Sequence, residues 1–174
     1  MDRPTAEELY RRHHLKIFRF LRKMTGESAQ AEDLTQDVFV RVIRGLETYD
    51  PRERDLAWLF RIARRLFADR ERGGQRRPVL VQETLVGARP VPPTQSLGAS
   101  LEEALGLVPQ PEREAFLLRE QGGLGYTEIV AISGVTPDAV RNRIYRARWQ
   151  LRQILGPASH ADAGSVPRRH PDES

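Results

Sequence analysis

Between Thr136 and Leu155 the sequence reads TPDAVRNRIYRARWQLRQIL, and its apolar residues return at steps of three and four. With about 100° of turn per residue, Val140, Ile144, Ala147, Leu151, Ile154 and Leu155 fall within roughly 60° of one another, the stripe of a helix that packs on a core. The same spacing recurs along most of the chain, and strand-like alternation is confined to the short PVLVQETLV at 78–86. An all-α fold is expected. No stretch approaches the roughly 20 apolar residues of a membrane span, and the N-terminal MDRPTAEELYRRHHLKIF lacks a signal-peptide apolar run. A soluble, cytoplasmic protein is expected. The absence of cysteine excludes disulfides and thiolate metal sites.

Punctuation divides the chain into four parts. Residues 1–77 hold three helical patterns: about Thr5 to Met24, opened by a Thr5–Glu8 capping box and ended by Gly26; about Ser28 or Ala31 to Leu46; and about Asp55 to Arg72, stopped at Gly73-Gly74. Residues 78–100 contain four prolines and two glycines, the composition of a flexible, extended linker. Residues 101–156 form a second helical group, broken at Pro109 and Pro111, Gly122-Gly123 and Ser133-Gly134. Residues 157–174 are polar and small, the composition of a disordered tail. Two small helical domains joined by a linker is the expected organisation.

Net charge is only +4, but it is unevenly placed. Residues 1–78 carry 18 cations against 13 acids, and residues 126–156 carry 5 against 2. Positive charge gathers at Arg61–Arg77 and Arg141–Arg152, which points to a polyanionic partner.

A short helix over Tyr126–Ile132, a turn at Ser133-Gly134-Val135, and a Thr136-Pro137 start signal before the long basic helix give the helix-turn-helix layout. Its second helix enters the major groove of a duplex. Opposite the apolar stripe lie Arg141, Asn142, Tyr145 and Arg146. Guanidiniums fork onto guanine or phosphate and an amide suits adenine, so these four are the candidate base readers. Arg148 and Arg152, further along, are placed for phosphates. An arginine run alone would more often be a solvated helix face; the preceding turn, with Tyr145 and Trp149 on the polar side, favours nucleic acid.

The segment DLAWLFRIARRLFADRER gathers Leu56, Leu59, Phe60, Ile62, Ala63, Leu66 and Phe67 on one side and leaves Trp58, Arg61, Arg65 and Arg72 on the other. A tryptophan among arginines suits a single strand, whose bases stack while its phosphates pair with guanidinium. Tyr49, just before, is a second stacking candidate. Half-burial of Trp58 against a neighbouring helix is the alternative. In AEDLTQDVFVRVIRGL, Asp33, Gln36, Asp37 and an apolar Val40 share the outer face, a pattern that favours a protein contact. Acids in a first helical turn are also what the helix dipole selects.

Three stretches in this order resemble the bacterial extracytoplasmic-function (ECF) sigma factors of the sigma-70 family. AEDLTQDVF is similar to the polymerase-binding motif, LAWLFRIARR to the promoter-melting helix, and YTEIVAISGVTPDAVRNRIYRARWQL to the helix-turn-helix of the second domain. The resemblance covers about residues 5–156. It implies that Asp33, Leu34, Gln36 and Asp37 dock on the β′ clamp helices of core RNA polymerase. It also implies that Tyr49, Trp58, Arg61 and Arg65 meet the melted minus-ten strand, and that Arg141, Asn142, Tyr145, Arg146 and Arg148 meet the minus-thirty-five duplex. The β flap and an anti-sigma protein are further partners it implies. Arg65, Asp37 and Asn142 depart from the family's usual residues, so no promoter sequence is carried over.

A helix-turn-helix regulator acting without polymerase is the alternative. It calls for a ligand pocket or dimer face that residues 1–78 do not announce. An enzyme is not expected. No cofactor motif or metal site is apparent, and His13-His14, adjacent on a helix, point to different faces.

Overall fold

The computed structural model describes residues 3–75 and 97–156. Most of the expected linker, the PVLVQETLV segment and the tail lie outside these residues. The described residues form seven α-helices and no strand. Helices α1 (Ala6–Thr25), α2 (Ser28–Gly45) and α3 (Asp55–Gln75) make the first group, with a 3-10 turn at Leu46–Thr48 after α2. Helices α4 (Leu97–Leu107), α5 (Gln110–Glu120), α6 (Tyr126–Ser133) and α7 (Pro137–Leu155) make the second.

The ends follow local chemistry. Glu8 N donates to Thr5 Oγ1 at 3.2 Å while Thr5 N donates to the Glu8 carboxylate at 2.8 Å, closing the capping box at α1. The backbone bond from Thr5, then its hydroxyl, hold the Glu8 carboxyl below its usual range. Gly26 ends α1 in the left-handed region at φ 78°. Thr136 caps α7 by accepting from Ala139 N at 3.2 Å, with Pro137 in the first helical position. Two boundaries differ from expectation. Helix α3 continues through Gly73-Gly74 to Gln75, and α4 begins at Leu97, inside the stretch read as linker.

The apolar stripes meet as expected within each group. Leu9, Ile17, Phe20 and Leu21 of α1 pack with Ala31, Val38 and Val42 of α2 and with Leu59, Phe60 and Ala63 of α3. In the second group Leu117 and Leu118 of α5, Ile129 of α6, and Val140, Ile144, Ala147 and Leu151 of α7 close the core. Ile154 and Leu155, expected in that stripe, are exposed, because they lie at the last turn of α7, beyond Leu151, the last buried residue of the stripe.

The groups also touch each other. Helix α1 contacts α4 and α5, α3 contacts α6, and the buried apolar residues form one continuous cluster. Helix α7 is the element whose start matters most for the site. Thr136→Ala removes its cap and is expected to lower stability by about 1 kcal/mol in urea unfolding. An unchanged midpoint would show that the cap is not holding this end.

Candidate nucleic-acid and protein interfaces

The turn between α6 and α7 is set by Gly134 at φ 69°, a left-handed conformation that glycine reaches without steric cost. Glu128 accepts from Gly125 N at 2.7 Å and fixes the start of α6. Ile129 and Ile132 are buried beneath α7, so the opposite face of α7 points to solvent. Arg141, Asn142, Tyr145, Arg146, Arg148 and Trp149 are all exposed there, Tyr145 at 68%. This is the expected reading face. Three of its arginines have carboxylate partners: Arg141 meets Asp138 at 2.9 Å, Arg146 meets Glu112 at 3.9 Å, and Arg148 pairs with Glu120. Arg148 is held above its ordinary range first by that bond to Glu120. Pairs of largely exposed arginines of this kind contribute roughly 0–1 kcal/mol.

On α3 the structure selects burial for Trp58, which is 8% exposed and does not stand out as a stacking platform. Tyr49, also expected to stack on bases, is 3% exposed. The two rings pack edge to face at 4.9 Å, because the end of α2 and its 3-10 turn lie against them. Tyr49 donates to Asp55 Oδ1 at 2.5 Å and lies 3.1 Å from the Glu53 carbonyl. Burial, then Asp55, push its phenol up to about 12. His13 Nε2 stands 3.6 Å from Asp55 Oδ2, beyond hydrogen-bond range, and burial draws its imidazole below the usual value.

Trp58 still lines a surface groove of about 320 Å³, together with Arg41, Gly45, Thr48, Arg61, Ile62 and Arg65. Arg61 and Arg65 of α3 are exposed, and Arg61 pairs with Glu53. Arg41 was not among the expected residues. It sits one turn after Asp37 on the outer face of α2, and only the crossing of α2 over α3 brings it beside the arginines.

The acidic face of α2 is present, with one correction. Asp33, Gln36 and Asp37 are exposed, whereas Leu34 is 2% exposed and belongs to the core. It orients the helix and offers little surface to a partner. Leu66, Asp69 and Arg70 of α3 complete a shallow depression beside the acids, where Arg70 stands 3.9 Å from Asp33. Among the described residues no cluster of His, Cys, Asp and Glu is arranged to hold a metal, and no helix is long and apolar enough to cross a membrane.

The chain matches two family descriptions: Sigma-70 region 2 over residues 9–77, and Sigma-70, region 4 over residues 98–151. It is 39% identical over 171 residues to the ECF RNA polymerase sigma factor SigE of Mycolicibacterium smegmatis, covering 94% of this chain and 66% of that protein. It is 34% identical over 154 residues to the RNA polymerase sigma factor CarQ of Myxococcus xanthus, covering 86% and 88%. Among solved structures, the sigma factor RpoE of Bartonella quintana, crystallised with the anti-sigma factor NepR, has the same fold. Its TM-score is 0.72 at 23% identity, covering 86% of this chain and 95% of that one. CnrH, in complex with the cytosolic domain of CnrY, gives 0.63 at 25% identity, covering 86% of each chain. The chain belongs to the sigma-70 family of RNA polymerase sigma factors, in its ECF group.

Tyr49 gives a direct test of the buried loop anchor. A phenol whose folded pKa is raised above the unfolded value of about 10 adds stability that is complete below pH 10 and is lost as pH rises through the folded value. The tyrosinate absorbance difference between the native chain and Tyr49→Phe should therefore rise near pH 12. A rise at the ordinary value would mean that the ring is solvated.

Proposed function

We infer that the chain is the promoter-specificity subunit of a bacterial RNA polymerase, recruiting the core enzyme, reading two promoter elements and helping to open the duplex. What carries this reading is the presence, in one member of this family, of three separate surfaces: the exposed face of α7, the arginine groove at Trp58, and the acidic face of α2. Bond formation belongs to the polymerase, and the chain works where that enzyme is, in the cytoplasm.

Each surface takes one role. Asp33, Gln36 and Asp37 dock on the β′ clamp helices, with Leu34 holding their helix in place; the second helical group meets the β flap. Arg141, Asn142, Tyr145 and Arg146 read the minus-thirty-five duplex in the major groove, where a good bidentate contact is worth about 1–3 kcal/mol of discrimination. Arg148 adds phosphate affinity without sequence information. At the minus-ten element Arg61, Arg65 and Arg41 follow the strand backbone. Trp58 and Tyr49 form the rigid wall behind them, and the loop Asp50–Asp55 receives an extruded base. Extrusion costs a few kcal/mol, which the groove has to offset. The complex of CnrH with the cytosolic domain of CnrY supports a second protein partner for this chain, which we assign to the anti-sigma kind.

Binding to purified bacterial core polymerase tests the docking role. Gln36→Ala combined with Asp37→Ala should weaken it roughly tenfold, about 1.4 kcal/mol, with helicity unchanged. A chain that does not bind core polymerase at all is not a sigma factor. In the assembled holoenzyme, Arg148→Ala should weaken all promoters alike and lower the salt slope by about 1, whereas Asn142→Ala should relax preference at one base. Equal effects of both variants on every sequence would remove the division of roles.

A further inference from the structure

Asp55, the first residue of α3, divides its carboxylate between two neighbours. Its Oδ1 accepts from the Tyr49 phenol at 2.5 Å, and its Oδ2 faces Nε2 of His13, on α1, at 3.6 Å. His13 is half-buried, and its two ring nitrogens, both withdrawn from solvent, have no hydrogen-bond partner among the described residues. A neutral imidazole carries one donor and one acceptor, so both are unmet, which is rare for buried polar atoms and calls for a physical reason. A shift of about 0.8 Å would bring Oδ2 to the roughly 2.8 Å of a charge-assisted bond with Nε2. Tyr49 cannot follow it. Its ring is 3% exposed and packs edge to face on Trp58. The carboxylate therefore serves one neighbour fully or the other.

A proton decides between them. A neutral ring is a weak donor and leaves the carboxylate to Tyr49, whereas a protonated ring forms an ion pair with it. Arg12 and Lys16, on the same helix as His13, offer the ring only like charge. Glu53 and Arg54, which line the depression around His13, are already engaged, by Arg61 and by Glu128 of α6. Arg3 and Glu8 line a neighbouring cavity with Asp55 and are bound to the Glu47 carbonyl and to Thr5. Helix α2 meets α1 through the uncharged Ala31, Val38 and Val42, α5 brings the neutral Gln121 to the Lys16 carbonyl, and α4 directs Glu102 to Arg22 further along. Burial holds the imidazole below its usual value, so the proton arrives at acid pH. The stability this group contributes is complete above the unfolded value of about 6.5 and is lost as pH falls through the folded value.

Tyr49 and Asp55 bracket the loop at 50–55. Inside it, Glu53 N donates to the Asp50 carbonyl at 3.0 Å and Arg52 N to Asp50 Oδ1 at 2.9 Å, so the loop is folded on itself and the bond across its ends sets its placement. We propose that Asp55 is the positioning residue of this loop and that His13 contests it: a proton on the His13 ring draws the carboxylate off the Tyr49 phenol, and the loop loosens its hold on an opened strand. The effect on the strand rests on the sigma reading above; the exchange of partners rests only on the three side chains.

Nuclear magnetic resonance on the isotope-labelled full chain, titrated from about pH 7.5 to about pH 5, follows the His13 ring together with Tyr49 Cζ, whose shift reports the phenol hydrogen bond. The Tyr49 signal should move with the midpoint of His13, below about 6.5. In His13→Gln, which gains no proton, it should stay fixed. A His13 ring that takes up no proton in this range, a Tyr49 signal that stays flat while His13 titrates, or an equal movement in His13→Gln overturns the exchange. If His13→Gln loses helicity, Asp55→Asn removes the contested charge in place. The His13 midpoint must then fall, and an unchanged midpoint overturns the proposal. With core polymerase, open complexes on a promoter selected with the unsubstituted chain should lose lifetime on the same acidification severalfold more than those formed with His13→Gln, which shares the polymerase's own pH response. Equal losses overturn the effect on the strand. A chain that binds no polymerase counts against the sigma reading instead and leaves the titration result standing.

Discussion

A carboxylate withdrawn from water has to be met by a cation, and Glu114, the one acidic residue among those described that is buried, is met by Arg64 from the other helical group. Breaking such a pair from one side leaves an uncompensated buried charge, so it ties α5 to α3 more firmly than any exposed pair on the surface. Helix α3 then faces three ways at once. Phe60 goes to the shared core, Arg64 to Glu114, and Arg61 with Arg65 to the groove beside Trp58. Successive residues about 100° apart make that possible on a single helix. Arg61 and Arg65 are thereby held on the same element that carries the contact between the groups.

The arginines of α7 follow a different logic. They are exposed, and three of them rest on acids of α5 or of their own helix. If the proposed duplex contact forms, phosphate takes the place of those carboxylates and condensed counterions are released from the duplex. In the proposed reading, Arg148 supplies general affinity. Selectivity is left to the few groups with directional donors and acceptors at the start of the helix, Arg141, Asn142, Tyr145 and Arg146. The aromatic pair Tyr49–Trp58 contributes shape: with Tyr49 anchored on Asp55, it is a wall for the groove and the loop beside it.

Elements whose determinants are local were legible in the sequence. The Thr5–Glu8 box, Gly26, Thr136-Pro137 and Gly134 all appear where their chemistry places them, and the core stripe of α7 is right through Leu151. The failures share one cause: a helical wheel gives the direction of a side chain but not what lies in that direction. Trp58 was placed on the polar side of α3, and that side is covered by the end of α2, where a Cβ on Gly45 would stand 3.9 Å from the indole. For Leu34 the wheel is right: its period puts it with Val38 and Phe39 in the core, where it is buried, and only the resemblance names it among the docking residues. Arg41 acquires its place from the crossing of α2 over α3. Arg64–Glu114 joins residues 50 apart in the chain, with no periodic signal connecting them.

The central claim is that this one chain gives a polymerase its promoter choice. Run-off transcription with purified bacterial core polymerase, on a library of fragments from the source genome, tests it most directly. The account predicts transcripts with defined starts that appear only when the chain is added and that share two upstream elements. Transcription no greater than that of core polymerase alone, or tight sequence-specific duplex binding by the free chain with no transcripts, would contradict it.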